Sequence, residues 1–599
     1  MQENFEYFFQ KAIFEAVKLV IMGGEPLGVK HLNDLPSLSL ESFSLFSKKT
    51  THIIYSMRSL LFSLLLVLPL FVKAQHTQTE QNQQFARQLR ILNRVLSTLD
   101  VYYVDTLDAK KVIDDGINYI LYNLDPYTQY IPEEDSKEFL ETTTGTYAGI
   151  GSPISFRADH NRCVFSYPYE GMPAAEAGVR TGDIILEIDG VDMKRNEGET
   201  PRDYSSRVTS KLRGDAGTTF KLGVKRPGVA DKVELLLTRR VIETSSVDYF
   251  GLLDDEVGLI VVNSFMEHTT RDVRRAFVAL KQQGMKRLML DLRGNPGGLL
   301  SEAVKLVGFF MPNGTKVVST KGKVPEFDET FSTNDEPLDT EIPIAVLVDY
   351  SSASSSEITA GALQDYDRAI IVGERTYGKG LVQQMMDLPY DGILKYTASK
   401  YYIPSGRCIQ AYDFKNRNAD GHPKHLPDSL AKTFYTAKGR PVKDGGGVMP
   451  DYEVREDTIA DFVYELLASD ATHDFVVTYR NTHPKPDFAT FELTEADLSA
   501  YKDSIRASSF NYKSRSLRML EALETQVKED NSNATAEIEA LRKMLTPNLD
   551  EHLDRHRTEV SNVLKDMITA AYLGLHKTIP YKLTHDKVLQ RGGELLKQQ

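Results

Sequence analysis

The stretch "IPIAVLVDYSSASSSEITAGALQDYDRAIIVGERTYGKG", Ile342 to Gly380, decides the fold. "IPIAVLV" is a short apolar run, "EITAGALQDY" carries helical spacing, and "RAIIVG" is a second apolar run closed by glycine. Strand, turn, helix and strand thus follow one another, as in a mixed α/β layer. The first turn holds Ser351, Ser352, Ser354, Ser355 and Ser356, the last loop holds Lys379 between Gly378 and Gly380, and no histidine stands between them. If a serine here is a nucleophile, something other than imidazole takes its proton. The bland reading is equally concrete: Ser354 and Glu357 stand three apart as a capping box, which closes a helix N-terminus without any catalysis.

Lysine supplies the missing base only under one condition. An ammonium held in an apolar site loses its charge well below the ordinary pKa of about 10.4, and a neutral amine can then deprotonate a neighbouring serine. A second strand-to-helix turn stands upstream in "RLMLDLRGNPGGLLSEAVKLVGFF", with the strand over Arg287–Leu292 and the helix starting near Leu299. Its residues Asn295 to Gly298 leave backbone N–H groups free at the junction, which suits a developing oxyanion. Alone this signal is weak, because such turns also bind phosphates.

Working outward, residues 145–242 read as short strands and glycine turns. "YAGIGSPISF" is a glycine-flanked turn feeding a strand, and "GMPAAEAGVRTGDIILEIDGVDM" with "YSSRVTSKLRGDAGTTFKLGVKR" adds a short helix, a strand, a longer helix and a closing strand. Residues 75–144 and 456–599 show mainly helical spacing. The chain has 599 residues, room for several domains with separate cores, and a formal charge of −13, which argues against phosphate-neutralising nucleic-acid binding. Its two cysteines, Cys163 and Cys408, suit neither a disulfide framework nor a zinc site and read as buried thiols.

"MRSLLFSLLLVLPLFVKAQ", from Met57, has one arginine, an apolar run over Leu60–Val72 and the small-residue ending Val72-Lys73-Ala74. This is the order of a secretory signal peptide, 57–74, with cleavage expected after Ala74 and export to the periplasm. Residues 1–56 then read as an over-extended start, with Met57 as the initiator. An uncleaved anchor is the competing reading, although the run falls short of the roughly 20 apolar residues of a membrane span.

Two resemblances follow from these motifs. The order in residues 145–242 resembles a circularly permuted bacterial PDZ domain. It implies a turn of Gly149, Ile150 and Gly151 that takes a peptide's terminal carboxylate, and a receiving strand over Ser152–Phe156. The run "LDLRGNPGG", "SSASSSEITAGALQD", "GERTYGKGLVQ" and "KYYIPSGRCIQ" resembles the C-terminal processing peptidases, or tail-specific proteases, over roughly residues 90 to 455. That resemblance implies a ClpP/crotonase-like mixed α/β protease core over 243–455, making the whole a multidomain α/β protein with helical flanks. It places the nucleophile on Ser354, the base on Lys379 and an amine-orienting glutamine on Gln383. The oxyanion donors fall on the backbone N–H of Ser355 and of Gly297, chosen over Gly298. Asp365 matches a position tied to activity or loop support, and Glu357 stays a helix cap.

The implied protein is an exported serine endopeptidase acting on polypeptides with free C-termini, with no metal or organic cofactor and no nucleic acid. The resemblance leaves room for a membrane-proximal or lipoprotein activator and for a homodimer. Ser355 departs from the family's usual alanine there, but a backbone donor does not need its side chain. A non-catalytic PDZ adaptor and an apolar-ligand-binding protein on the same core are the alternatives. The joint presence of Ser354, Lys379 and Gln383 opposes the first, and the PDZ turn opposes the second.

Overall fold

The computed structural model describes residues 82–418, 421–455, 459–530, 534–546, 548–574, 578–582 and 586–599. The signal-peptide reading and residues 1–56 lie outside them. The chain forms two units, one ending at Val112 and the other running from Ile113 to Gln599. In the first, the described residues form a helix over 82–102 with Phe85, Leu89, Leu92 and Val95 exposed, followed by the start of the Ala109–Tyr122 helix.

In the second unit the Ile342–Gly380 stretch folds as its pattern requires. Ile344–Val348 is a strand buried along its whole length, and Ser355–Asp365 is a helix whose every residue is buried. The strand sits centrally in a six-stranded sheet of order Val247–Leu252, Val257–Val262, Arg287–Asp291, Ile344–Val348, Ile370–Gly373 and Tyr452–Glu453. The first pair is antiparallel and the others parallel. Apolar runs without alternation are what a sheet covered on both faces demands. Helices Thr269–Gln282, Leu300–Gly308 and Ser355–Asp365 contribute Phe277, Leu306 and Ile358 to the core on one face. Leu589, Leu595 and Leu596 of the last helix, Lys587–Lys597, cover Leu259, Met289 and Leu347 on the other. The helical region expected over 456–599 therefore splits, because the amphipathic face of its final helix is buried by the core sheet.

A second, antiparallel sheet carries the lysine side. Leu381–Asp387 and Gln129–Ile131 both pair with the long Ile393–Tyr402 strand, which continues to Lys316–Gly322 and Thr330–Ser332. Gln129–Ile131 departs from the helical texture expected over 75–144. Pro126 and the run Tyr127-Thr128-Gln129-Tyr130-Ile131 suit an extended chain, and Ile131 finds a partner in Ile393.

The smaller domain is a sheet of order Ile154–Arg157, Arg162–Phe165, Ile184–Ile188, Thr219–Lys225 and Lys232–Thr238. Its helix Pro201–Leu212 buries Tyr204, Val208 and Leu212. A ribbon of Thr146–Gly149 against Arg240–Glu243 joins it to the core. It also rests on the C-terminal helices: Arg157 reaches Asp474 Oδ1 at 2.9 Å, and a methyl on Gly182 would lie 2.6 Å from Val477.

Candidate active site

Where the Ile344–Val348 strand meets its helix, Ser354 has φ 53° and ψ −113°. A non-glycine residue rarely adopts that conformation, which costs about 1–3 kcal/mol and is held only by its surroundings. Here the surroundings are the Leu292–Gly298 turn. Ala353 N–H donates to Asn295 O at 3.0 Å, Gly294 N–H to Asp349 Oδ1 at 3.0 Å, and Ser356 Oγ to Asn295 O at 3.0 Å. A sharp strand-to-helix turn of this kind lifts a serine hydroxyl clear of the sheet.

The five serines now separate. Ser352 Oγ donates to Leu292 O at 2.8 Å, Ser355 Oγ to Gly298 O at 2.9 Å, and Ser356 Oγ to Asn295 O, all three buried. Their hydroxyls fasten one turn to the other. Ser354 alone of the five lines a cavity of about 830 Å³, which it shares with Gly297, Gly298, Lys379, Gln383, Lys395 and Tyr401. The structure thus brings the expected nucleophile, base and glutamine onto one cavity.

Lys379 is largely buried, and that burial, helped by Lys395, lowers its amine to about 8, against the opposing pull of Glu357 and Asp125. Its Nζ lies over the Tyr127 ring, 4.5 Å from the centroid. Gln383, expected to orient the amine, donates its Nε2 to Thr397 Oγ1 at 3.2 Å, beside the amine's cavity. Asp365 sits at the far end of the helix, paired with Arg407 at 3.0 Å and accepting from Ser405 N–H at 2.9 Å. It supports the Ser405–Gln410 loop, from which Gln410 Oε1 accepts the Gly380 N–H at 2.8 Å.

One oxyanion expectation needs correction. Gly297 N–H donates to Asn295 Oδ1 at 2.8 Å, so it is spent inside its own turn. Among the described residues, the N–H groups of Gly298 and Ser355 are left without an acceptor at this junction. The signal was present in the sequence, because asparagine followed by proline favours an Asx turn that captures the N–H two residues on. Gly297 has a different task. At φ 96°, a methyl there would stand 2.6 Å from Ala353 O and 2.8 Å from Ser354 Cβ, so only glycine lets the two turns touch.

Glu357 is the residue that the capping-box reading hid. It accepts the Ser354 N–H at 2.9 Å as that box requires, but its carboxylate also accepts Thr376 Oγ1 at 2.5 Å, Gly378 N–H at 2.7 Å and Lys379 N–H at 2.9 Å. Complete burial raises its pKa from 4.5 to about 7, against the pull of those four donors. The fold therefore favours the protonated carboxyl. The stability this confers is complete below about pH 4.5 and is lost as pH rises through about 7. Tyr127 and Tyr401 were missed too. Each reaches the site from far along the chain, Tyr401 by donating to Ser354 O at 3.3 Å.

In the smaller domain Gly149 closes its strand opposite Arg240, and the N–H groups of Ile150 and Gly151 that follow have no acceptor among the described residues. Gly151 has φ 67°, and a methyl there would meet Met172 Cβ at 2.4 Å. Among the described residues the Ile154–Arg157 strand pairs only with Arg162–Phe165, and its other edge, beside the Pro201–Leu212 helix, has no strand partner. Cys163 is buried as expected, whereas Cys408 is only partly so and lines a separate cavity of about 560 Å³.

Three family descriptions match the chain: "Peptidase family S41" over residues 256–416, "PDZ domain" over 164–226, and "Probable PDZ-protease, C-terminal helical domain" over 462–596. A "Carboxy-terminal-processing protease" of Bartonella bacilliformis is 32% identical over 420 residues, covering 67% of this chain and 94% of that protein. A "Probable CtpA-like serine protease" of Staphylococcus aureus is 33% identical over 340 residues, 56% of this chain and 66% of that protein. Among solved structures, a photosystem II D1 C-terminal processing protease aligns with 63% of this chain and 96% of its own, at 25% identity and a TM-score of 0.33.

Gly297→Ala tests the junction. The added methyl meets backbone and a fixed Cβ rather than a flexible side-chain end, so peptide hydrolysis should fall at least a hundredfold and denaturant unfolding should show a loss of about 2–4 kcal/mol. Wild-type turnover in this variant would contradict the packing described.

Proposed function

Because the chain belongs to the C-terminal processing peptidases of peptidase family S41, and carries their PDZ domain, we propose that it is an exported serine endopeptidase working through Ser354 and Lys379. The observation that carries this reading is the sorting of the serines: the buried hydroxyls are spent on the facing turn, while Ser354 shares its cavity with a buried lysine.

The proposed chemistry uses only protein groups. Neutral Lys379 Nζ takes the proton as Ser354 Oγ attacks the scissile carbonyl. The oxyanion accepts hydrogen bonds from the N–H groups of Gly298 and Ser355, which cost nothing to organise because the two turns already hold them. The leaving amine then takes the proton back from Lys379. Water then attacks the acyl group as neutral Lys379 Nζ takes its proton, and the lysine returns that proton to Ser354 Oγ as the acyl–oxygen bond breaks and the acid product leaves. Gln383 lines the cavity that the amine shares, and the Tyr127 ring bounds the amine on one side.

Substrate capture falls to the smaller domain. A peptide C-terminus would add as a strand to the open Ile154–Arg157 edge, its carboxylate on the N–H groups of Ile150 and Gly151. Export follows from the signal-like segment 57–74, and N-terminal sequencing of the mature protein should find Gln75 first. A mature form that retains residues 1–56 would refute that start.

One peptide series tests the rest. For a long substrate with a free C-terminus, kcat/KM should climb tenfold per pH unit and level off above about 8, where Lys379 is neutral. Ser354→Ala and Lys379→Ala should abolish it. Amidating the same peptide removes charge-assisted hydrogen bonds of roughly 1.5–3 kcal/mol, so kcat/KM should drop about tenfold to a hundredfold through KM. A Lys379→Ala enzyme at near wild-type rate would end the mechanism. Equal values for acid and amide would end the carboxylate reading alone.

A further inference from the structure

The turn that carries Gly298 is tied to a part of the chain nearly 300 residues away. Arg293, at the start of that turn, donates Nη1 to Asp586 Oδ1 at 3.1 Å and Nη2 to Asp586 Oδ2 at 2.7 Å. The same guanidinium donates Nη2 to Asp291 Oδ2 at 2.7 Å and Nε to Asp291 Oδ1 at 3.0 Å. Asp291 Oδ1 in turn accepts the Arg293 backbone N–H at 3.0 Å. Planar guanidinium held on two sides by carboxylates is fixed in direction as well as position.

Asp586 is itself fixed. It is the N-cap of the Lys587–Lys597 helix, accepting the Leu589 N–H at 2.9 Å. The other end of that helix is held by the same strand, since Arg287 Nε donates to Leu596 O at 3.0 Å. Both contacts also suit the helix dipole, with a carboxylate at the N-terminus and a guanidinium at the C-terminus. Between them Gly592 lets the helix lie close on the sheet, where a methyl would stand 3.1 Å from Met289 and 3.2 Å from Leu347. The helix is thus clamped in one register along the strand that feeds the Leu292–Gly298 turn.

We infer that Asp586 is a positioning residue for catalysis: through the Arg293 guanidinium, the C-terminal helix sets the turn whose Gly298 N–H faces the reaction. This rests on the Ser354 reading above. The surroundings explain why such a hold has work to do. Between Leu292 and Gly298 the turn contains three glycines, it is tied by hydrogen bonds to the serine loop on one side and to Val262 and Phe265 on the other, and its Gly298 donor must stay unpaired. A donor used only in the transition state depends on the rigidity of what carries it.

The test compares three variants of the full chain with wild type, following peptide hydrolysis and thermal unfolding. Asp586→Asn keeps the cap's shape and removes its charge, and it should lower kcat about tenfold with KM within twofold, as the loss of charge-assisted bonds would. Leu596→Ala opens a cavity under the same helix without touching Arg293. It should lower the melting temperature at least as much as Asp586→Asn yet keep kcat within twofold. Unchanged kcat in Asp586→Asn would overturn the inference, as would an equal loss in Leu596→Ala, which would reduce the helix to a stability element. Ser354→Ala provides the baseline: if it retains turnover, the reading of the nucleophile fails, whatever Asp586→Asn does.

Discussion

Everything in the candidate site depends on one buried carboxylate. Glu357 is 0% exposed, and its two oxygens gather four donors from two separate loops, Ser354 on one side and Thr376, Gly378 and Lys379 on the other. A carboxylate taken out of water costs several kcal/mol unless it is closely bonded. The four donors offset much of that cost, and the residual shows as a pKa raised to about 7. In return, a serine carried by the parallel sheet and a lysine carried by the antiparallel one are referred to a single atom group.

The remaining structure can be ordered by its distance from that carboxylate. The lysine loop is backed by Gln410 on Gly380, and Gln410 belongs to the loop that Asp365 and Arg407 support. The serine turn is backed by the Leu292–Gly298 turn, and that turn by Arg293 with Asp291 and Asp586. The electrostatics agree with this arrangement. Lys379 falls to about 8 and Glu357 rises to about 7 for the same reason, burial, while the Glu357 charge partly restrains the lysine and the four donors partly restrain Glu357. At neutral pH Glu357 sits close to its midpoint while Lys379 still holds its proton for the most part, and the lysine becomes the free amine above about pH 8.

Much of this was legible in the sequence, and the reasons are specific. The strand–turn–helix–strand order of Ile342–Gly380 was readable because unbroken apolar runs and helical spacing are local signals. Ser354, Lys379 and Gln383 followed from motif resemblance, and they meet on one cavity. What was not legible depends on contacts between distant segments. Glu357 looked like a helix cap because it is one, and nothing local reveals that its second oxygen serves another loop. The run around Gln129–Ile131 suits an extended chain, but the edge of Ile393–Tyr402 that makes it a strand lies more than 250 residues away, where no local pattern points. The choice of Gly297 over Gly298 overlooked a local competitor: the Asn295 side chain takes the Gly297 N–H, as an Asn-Pro-Gly turn invites.

The central claim is that Ser354 is the activated nucleophile, and its most direct measurement is the site of covalent capture. A serine-directed phosphonate offered to the intact protein at pH 8, followed by peptide mapping, should place one adduct on Ser354. The same reagent should leave the Lys379→Ala protein unlabelled over the same interval, since an unassisted hydroxyl is a poor nucleophile. An adduct on Ser351 or on any serine outside this turn, or labelling of Ser354 that proceeds equally well without Lys379, would contradict the account.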